Sequence, residues 1–196
     1  MSFQIVEPKK EVEIFLPDGR VLSGPRGAAV GKFLETVEHK AQLVGAVVNG
    51  ELRELNYPIW IESKVQPVTI ADPDGALIYR RSLTFLLEKA FTDLYPEGIL
   101  YVDHSVASGG YYCQVSGREQ LTESEIEALK THMRKLIELD LPIERREIPL
   151  MEAIEYFRSK GYEDKVSLLR HRKKNYLTLD RLDDHMVYHH GYMAPS

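Results

Sequence analysis

The sequence predicts an α+β chain in two parts, a small β-rich module with one short helix followed by a larger part in which helices and strands alternate. Three observations carry this. Residues 11–70 read in the order β-β-α-β-β, with a single short helical stretch. A polar, breaker-rich run, Ala71-Asp72-Pro73-Asp74-Gly75, follows them and marks a domain boundary. Beyond it, long stretches with apolar residues at helical spacing alternate with short β-branched runs. The 196 residues, 43% hydrophobic and 28% charged, have ordinary globular composition and suffice for two small domains, which excludes a wholly disordered or collagen-like chain.

The elements follow in order. Residues 1–10 carry little pattern and read as a leader. Val12, Ile14 and Leu16 alternate with polar neighbours, the period of a half-buried strand. Pro17-Asp18-Gly19 supplies a turn, and Val21 and Leu22 begin the return strand of a hairpin over 11–23. Val30, Phe33, Leu34 and Val37 share one face of a helix over 30–38. Residues 43–48 are a strand closed by Asn49-Gly50, a dipeptide suited to a tight hairpin turn. Residues 59–61 and 65–70 supply further short strands. One helix covering one face of such a sheet is a β-grasp-like arrangement for residues 11–71.

In the second part, residues 76–196, Leu83, Leu86, Leu87, Ala90, Phe91 and Leu94 predict a helix over 82–94, stopped by Pro96. The clearest helix spans 122–139, where Thr122 and Glu125 form a capping box ahead of the stripe Ile126, Leu129, Met133, Leu136 and Ile137. A third helix over 150–160 ends at Gly161. Strands are predicted over 99–102, 110–115, 143–148, 166–169, 176–179 and 186–188, forming a largely antiparallel sheet. There are no internal repeats.

Composition bounds the chemistry. No apolar run of about 18 residues exists, so no transmembrane helix is expected and no membrane partner. The first residues lack the apolar core of a secretory signal. A lone cysteine, Cys113, excludes an internal disulfide framework and a multi-cysteine zinc site, and a reducing, cytoplasmic home is the simplest reading. Following Tyr111-Tyr112 in a strand, it reads as a core thiol, with no neighbouring base in sequence. The net charge of −5 excludes a generic nucleic-acid binder, though not a local basic patch. The best such patch is Arg170, Arg172, Lys173 and Lys174, a candidate phosphate or RNA contact whose plain alternative is a solvated loop. Arg80 and Arg81 are a second basic pair. His185, His189 and His190 lie beside Asp183 and Asp184; on a strand, His185 and His189 share a face and are the best metal candidates, with exposed or cleft-lining imidazoles the plainer reading, so no metal is expected. His39, His104, His132 and His171 are isolated, His132 at the edge of a helical stripe. The stretch from Gly24 to Phe33 fails the phosphate-loop pattern, with Arg26 in place of the first glycine and Phe33 in place of the magnesium-binding hydroxyl; it reads as a loop feeding the first helix.

Leu16-Pro17-Asp18-Gly19, Ala46-Val47-Val48-Asn49-Gly50-Glu51-Leu52 and the strand at 65–70 together resemble a TGS domain. Arg80-Arg81-Ser82 leading to Phe85-Leu86-Leu87, then Leu94-Tyr95-Pro96, Gly110-Tyr111-Tyr112, Asp164-Lys165-Val166-Ser167-Leu168 and Gly191-Tyr192-Met193-Ala194-Pro195 resemble the editing-type domain that follows TGS in threonyl-tRNA synthetases. The shared order of these motifs covers residues 11–196 and implies a β-grasp domain followed by a two-layer α/β editing-type domain. The same pair of domains fronts a family of P-loop kinases related to uridine kinase.

The resemblance implies a cleft holding Arg80, Arg81, Tyr112, Lys165 and His189. It also implies where the editing chemistry would stand. The two helix histidines of the synthetase motif align with Arg81 and Phe85, its later cysteine and histidine with His189 and Met193, and an acidic residue with Val187. A permanent cation, a phenyl ring and a thioether cannot build a metal or water-positioning site, so the editing site is expected to be degenerate and this region not catalytic. An anion bridging Arg81 and Lys165 is the expected cleft ligand; alternatively Arg81 pairs with a carboxylate and plugs the old site.

These departures imply the ligand- or RNA-binding, regulatory front end of a uridine kinase-related protein. Its ATP- and magnesium-dependent phosphoryl transfer would lie beyond Ser196, where a family motif is cut short, and the kinase domain would be its partner. No cofactor is expected in these 196 residues. Two alternatives stand beside this. One is an aminoacyl-ester hydrolase of the tRNA-editing type, working from a rearranged His189-centred site. The other is a non-catalytic interaction module, consistent with a homo-oligomer.

Overall fold

A computed structural model describes residues 7, 9–106 and 110–196, so most of the predicted leader lies outside the described residues. The chain divides into two compact units, one running to Arg81 and completed by Gly191–Pro195, the other Ser82–His190.

The first unit holds a five-stranded sheet built from β1 (Glu11–Phe15), β2 (Val21–Pro25), β3 (Leu43–Val48), β4 (Glu51–Arg53) and β5 (Ser63–Thr69), in the order β2-β1-β5-β3-β4. β1 runs parallel to β5 and every other pair is antiparallel. The predicted alternation appears as the buried side chains Val12 and Ile14 between exposed neighbours. Together with helix α1 (Val30–Leu34) they form the main core, whose buried members include Leu34, Ala46, Ile59 and Val65. Between β3 and β4, Asn49 and Gly50 both adopt positive φ, 51° and 87°, as a tight hairpin turn requires. A bulge between Leu43 and Gly45 re-aims Val44, which joins Val68, Ile78 and Ala194 in a second small cluster rather than following Ala46 and Val48.

Two expectations for this unit are corrected. Residues 59–61 are not a strand. Only an isolated bridge from Pro58 to Ala29 forms there, because proline cannot donate to a ladder, and Trp60 and Ile61 are exposed. The 71–75 run, read as a domain boundary, contains the start of helix α2 (Pro73–Leu94), much longer than the predicted 82–94. Proline tolerates the first helical turn, and Asp72 anchors the entry by accepting from the Thr69 amide and hydroxyl at 2.7 and 2.8 Å.

In the second unit, β6 (Ile99–Ser105) and β7 (Tyr111–Ser116) form a separate antiparallel ribbon. Helix α3 (Glu123–Glu138) carries the predicted capping box at Thr122 and Glu125. Its Leu129 and Leu136 pack with Ala90 and Phe91 of α2 and Leu100 of β6. The remaining strands, β8 (Ile143–Pro149), β9 (Tyr176–Leu182) and β10 (His185–Val187), form an antiparallel sheet in the order β10-β9-β8. Helix α4 (Leu150–Ser159) and helix α5 (Glu163–Leu169) pack on it through Ala153, Ile154, Phe157, Val166 and Leu169. The predicted strand at 166–169 is therefore helical. Glu163 and Asp164 open α5 with acidic residues, and Val166 and Leu169 are buried three apart, a pattern that a four-residue apolar run does not distinguish from a strand. The single expected sheet is instead a ribbon and a three-stranded sheet.

Candidate functional site

Glu88 is a largely buried carboxylate of the second unit. It lies on α2, one turn beyond the fully buried Phe85, and its side chain is only 12% exposed. His185, at the start of β10, is 1% exposed and points its Nε2 at Glu88 Oε2 from 4.0 Å. Neither ring nitrogen of His185 has a hydrogen-bond partner among the described residues, an expensive arrangement for a buried imidazole. Phe85 packs against His185 and His189, with ring centroids 5.7 and 6.5 Å apart. β10 ends at Val187, so the two histidines converge through this shared phenyl ring rather than along one strand.

Lys165 approaches from α5, its Nζ 4.1 Å from the centre of the Tyr162 ring and 5.4 Å from that of Phe157. Burial pulls its pKa below the ordinary lysine value, and the charges of Glu88 and Asp164 only partly restore it. Tyr162 has its phenol pushed up, first by burial and then by Glu88. Tyr156, also raised mainly by burial, feels Asp184, Lys89 and Glu88 as well. Glu88 thus acts electrostatically on groups from α4 and α5 and faces one on β10.

Cys113, predicted as a core thiol, is exposed on β7, because that ribbon leaves most of its strand open to solvent. Partial desolvation and then Glu88 push its thiol up, the wrong direction for a nucleophile. Tyr112 stands on the same strand, 49% exposed.

The other candidate residues are dispersed. Arg80 is exposed on α2. Arg81 belongs to the first unit, where its guanidinium donates to the Tyr192 carbonyl at 2.5 Å and lies against Gly191. The Tyr192 backbone carbonyl is thus one partner of Arg81. Of the basic run, Arg172 donates to the Tyr176 carbonyl at 2.9 Å and Lys174 to the Tyr176 hydroxyl at 3.3 Å, while Arg170 and Lys173 are exposed. The run follows a helix instead of joining two strands. His132 is held by Asp93 at 2.9 Å, and His39 meets the Leu34 carbonyl at 2.9 Å. The His104 side chain lies outside the described residues. Among the described residues no group of three or more histidine, cysteine, aspartate or glutamate side chains could hold a metal, and no helix is long and apolar enough to cross a membrane.

Sequence reasoning missed Glu88. Its signal was present, a carboxylate three residues after a phenylalanine on a helix whose other members are mostly apolar, but only the tertiary fold brings it to face His185.

No family model matches the chain. Threonine–tRNA ligase of Thermotoga maritima is 32% identical over 188 residues, covering 95% of this chain and 29% of the ligase. That of Clostridium kluyveri is 32% identical over 163 residues, 81% of this chain and 25% of the ligase. That of a Geobacter species is 30% identical over 162 residues, again 81% and 25%. The chain thus spans under a third of the length of these relatives. The similarity favours the editing-related alternative over the kinase linkage implied by the departures at Arg81, Phe85 and Met193, and over 95% of its length the chain is homologous to a region of threonine–tRNA ligases.

Proposed function

We propose that this chain engages the aminoacylated end of a tRNA and hydrolyses the aminoacyl ester, an editing-type reaction run from a centre on Glu88. The observation that carries this is a largely buried carboxylate faced by His185 at 4.0 Å in a chain homologous to threonine–tRNA ligases, and the charge of Glu88 also acts on Lys165. Ester hydrolysis needs a proton acceptor for water and positive charge for the developing oxyanion. In this reading Glu88 takes a proton from the attacking water and Lys165, when protonated, stabilises the oxyanion. The ester C–O bond then breaks, and the ribose oxygen recovers the proton from Glu88. His185 faces the carboxylate from 4.0 Å and lends it positive charge when protonated. Phe85 fills the space between the two histidines, which moves the chemistry away from the His189-centred arrangement. Within this proposal the first unit is a β-grasp domain of TGS type. Its sheet order, the parallel pairing of β1 with β5 and the helix packed on one face support that reading.

The test is deacylation of threonine tRNA carrying radiolabelled serine or threonine. The chain is expected to release amino acid faster than the spontaneous rate. Glu88→Gln and Lys165→Ala should each lower that acceleration by about 100-fold, with the fold preserved by circular dichroism. A wild-type rate equal to the uncatalysed rate overturns the hydrolytic reading. Tighter binding of charged than of uncharged tRNA would then leave a binding module.

A further inference from the structure

A groove of about 250 Å³ opens between α4 and the three-stranded sheet of the second unit. Its floor is apolar, formed by Ile148 of β8, Leu179 of β9 and Met186 of β10. Tyr156 of α4 fixes one wall, its hydroxyl accepting from the Met186 amide at 2.7 Å. The rim is charged and divided. Arg146 and Arg181 supply cations, and Glu152 and Asp184 supply anions.

The strand register explains the two guanidinium groups. Arg146 pairs with Leu179, and Arg181 pairs with Glu144, so the arginines lie a diagonal apart on one face of the sheet. Like charges so placed repel, and Glu144, 2.7 Å from one terminal nitrogen of Arg146, compensates only in part. Arg181 uses its Nε on the Asp183 carbonyl at 2.5 Å, which leaves its terminal nitrogens as donors over the groove. Asp184 is committed to Lys89 Nζ at 2.8 Å. Glu152 has no ion-pair partner among the described residues, and it stands in the first turn of α4.

From this geometry we infer that the groove binds a free α-amino acid as its zwitterion. The carboxylate bridges Arg146 and Arg181, the ammonium meets Glu152, and an aliphatic side chain lies on Ile148, Leu179 and Met186. A carboxylate suits paired guanidinium groups because each offers parallel N–H donors. The volume lies below the usual range for drug-sized ligands and suits a molecule of amino-acid size. An anion alone would leave Glu152 unanswered, and a cation alone would leave the terminal nitrogens of Arg181 so.

The experiment is calorimetric titration of the full chain with L-leucine, 3-methylbutylamine, which lacks the carboxylate, and 4-methylpentanoic acid, which lacks the ammonium. L-leucine is expected to bind, and each truncated analogue to bind at least about 10-fold more weakly. Arg181→Gln should weaken L-leucine at least as much, and Glu152→Gln should weaken it while leaving 4-methylpentanoic acid unchanged. Both residues are on the rim, so the variants should fold, checked by circular dichroism. No binding of L-leucine, or equal binding of all three compounds, overturns the inference. Deacylation measured in parallel on Arg181→Gln separates this groove from the Glu88 centre, because that activity should persist.

Discussion

Lys165 shows how one residue's surroundings set its use. It was legible in the sequence because a motif surrounds it, but its environment was not, because Tyr162, Phe157 and Glu88 reach it from α2, α4 and the turn before α5. Glu88 was illegible for the same reason. Nothing local distinguishes it from a solvated helix carboxylate until β10 brings His185 to 4.0 Å. Lys165 has its pKa lowered mainly by burial, so the unfolded chain binds its proton more readily than the folded one. Stability therefore carries a penalty below the folded value that is relieved as pH rises from there to the ordinary lysine value of 10.5. Lys165→Met should stabilise the fold at neutral pH, with the gain shrinking as pH approaches 10.5. Urea unfolding of both proteins across pH 7 to 10.5 checks this, and a gain that stays constant would mean that the lysine's charge is not the cause. Lys89, the neighbour of Glu88 on the helix, behaves oppositely. Burial pulls its pKa down, but hydrogen bonds to Asp184 and Asp93 outweigh burial and hold its charge.

At the scale of elements, the sequence announced those whose signals are local. Helix α3 is the clearest, since capping box, stripe and boundaries all lie within one stretch of chain. Its start is also the best-defended helix end. Glu125 accepts from the Thr122 amide at 2.8 Å and from Arg118 at 2.5 Å, and Arg118 lies over the Tyr95 ring at 4.3 Å. The Thr122 amide foremost, then Arg118, lowers the Glu125 pKa to about 2. The stability this lends is full above the ordinary value of 4.5 and is lost as pH falls from there through about 2. Thr122→Ala should cost about 1 kcal/mol in chemical denaturation at pH 7. Glu125→Gln should flatten the fall in stability below pH 4.5. Elements read wrongly were those decided at a distance. The α5 segment is four apolar residues long where strand and helix patterns coincide, and the start of α2 was hidden behind a run rich in proline and glycine. Gly75 belongs there for a steric reason, because a methyl group at its Cα would stand 1.8 Å from the Thr69 carbonyl oxygen.

At the scale of the whole molecule, the order of motifs was readable but the path of the chain was not. In sequence the stretch at 191–195 reads as the last motif of the second domain, yet it belongs to the unit that begins the chain. Close packing accounts for this. Ala194, 5% exposed, completes the cluster of Val44, Val68 and Ile78, and the Tyr192 carbonyl accepts from Arg81. Gly191 permits the approach, since it has φ of 105° and a Cβ there would lie 2.7 Å from the Arg81 guanidinium carbon. The first unit is thus built from two separate stretches of sequence, and its stability depends on residues more than a hundred positions from its sheet. Ala194→Asp would place a carboxylate against the aliphatic side chains of Val44, Val68 and Ile78, a change expected to cost about 3 kcal/mol. Amide hydrogen exchange can locate the loss. Amides of β3 and β5 should exchange faster in Ala194→Asp than in the parent chain, with those of β8 and β9 changing far less. Equal acceleration in all four strands would mean that the two units unfold as one, and no acceleration in β3 and β5 would show that the 191–195 stretch does not hold the first unit together.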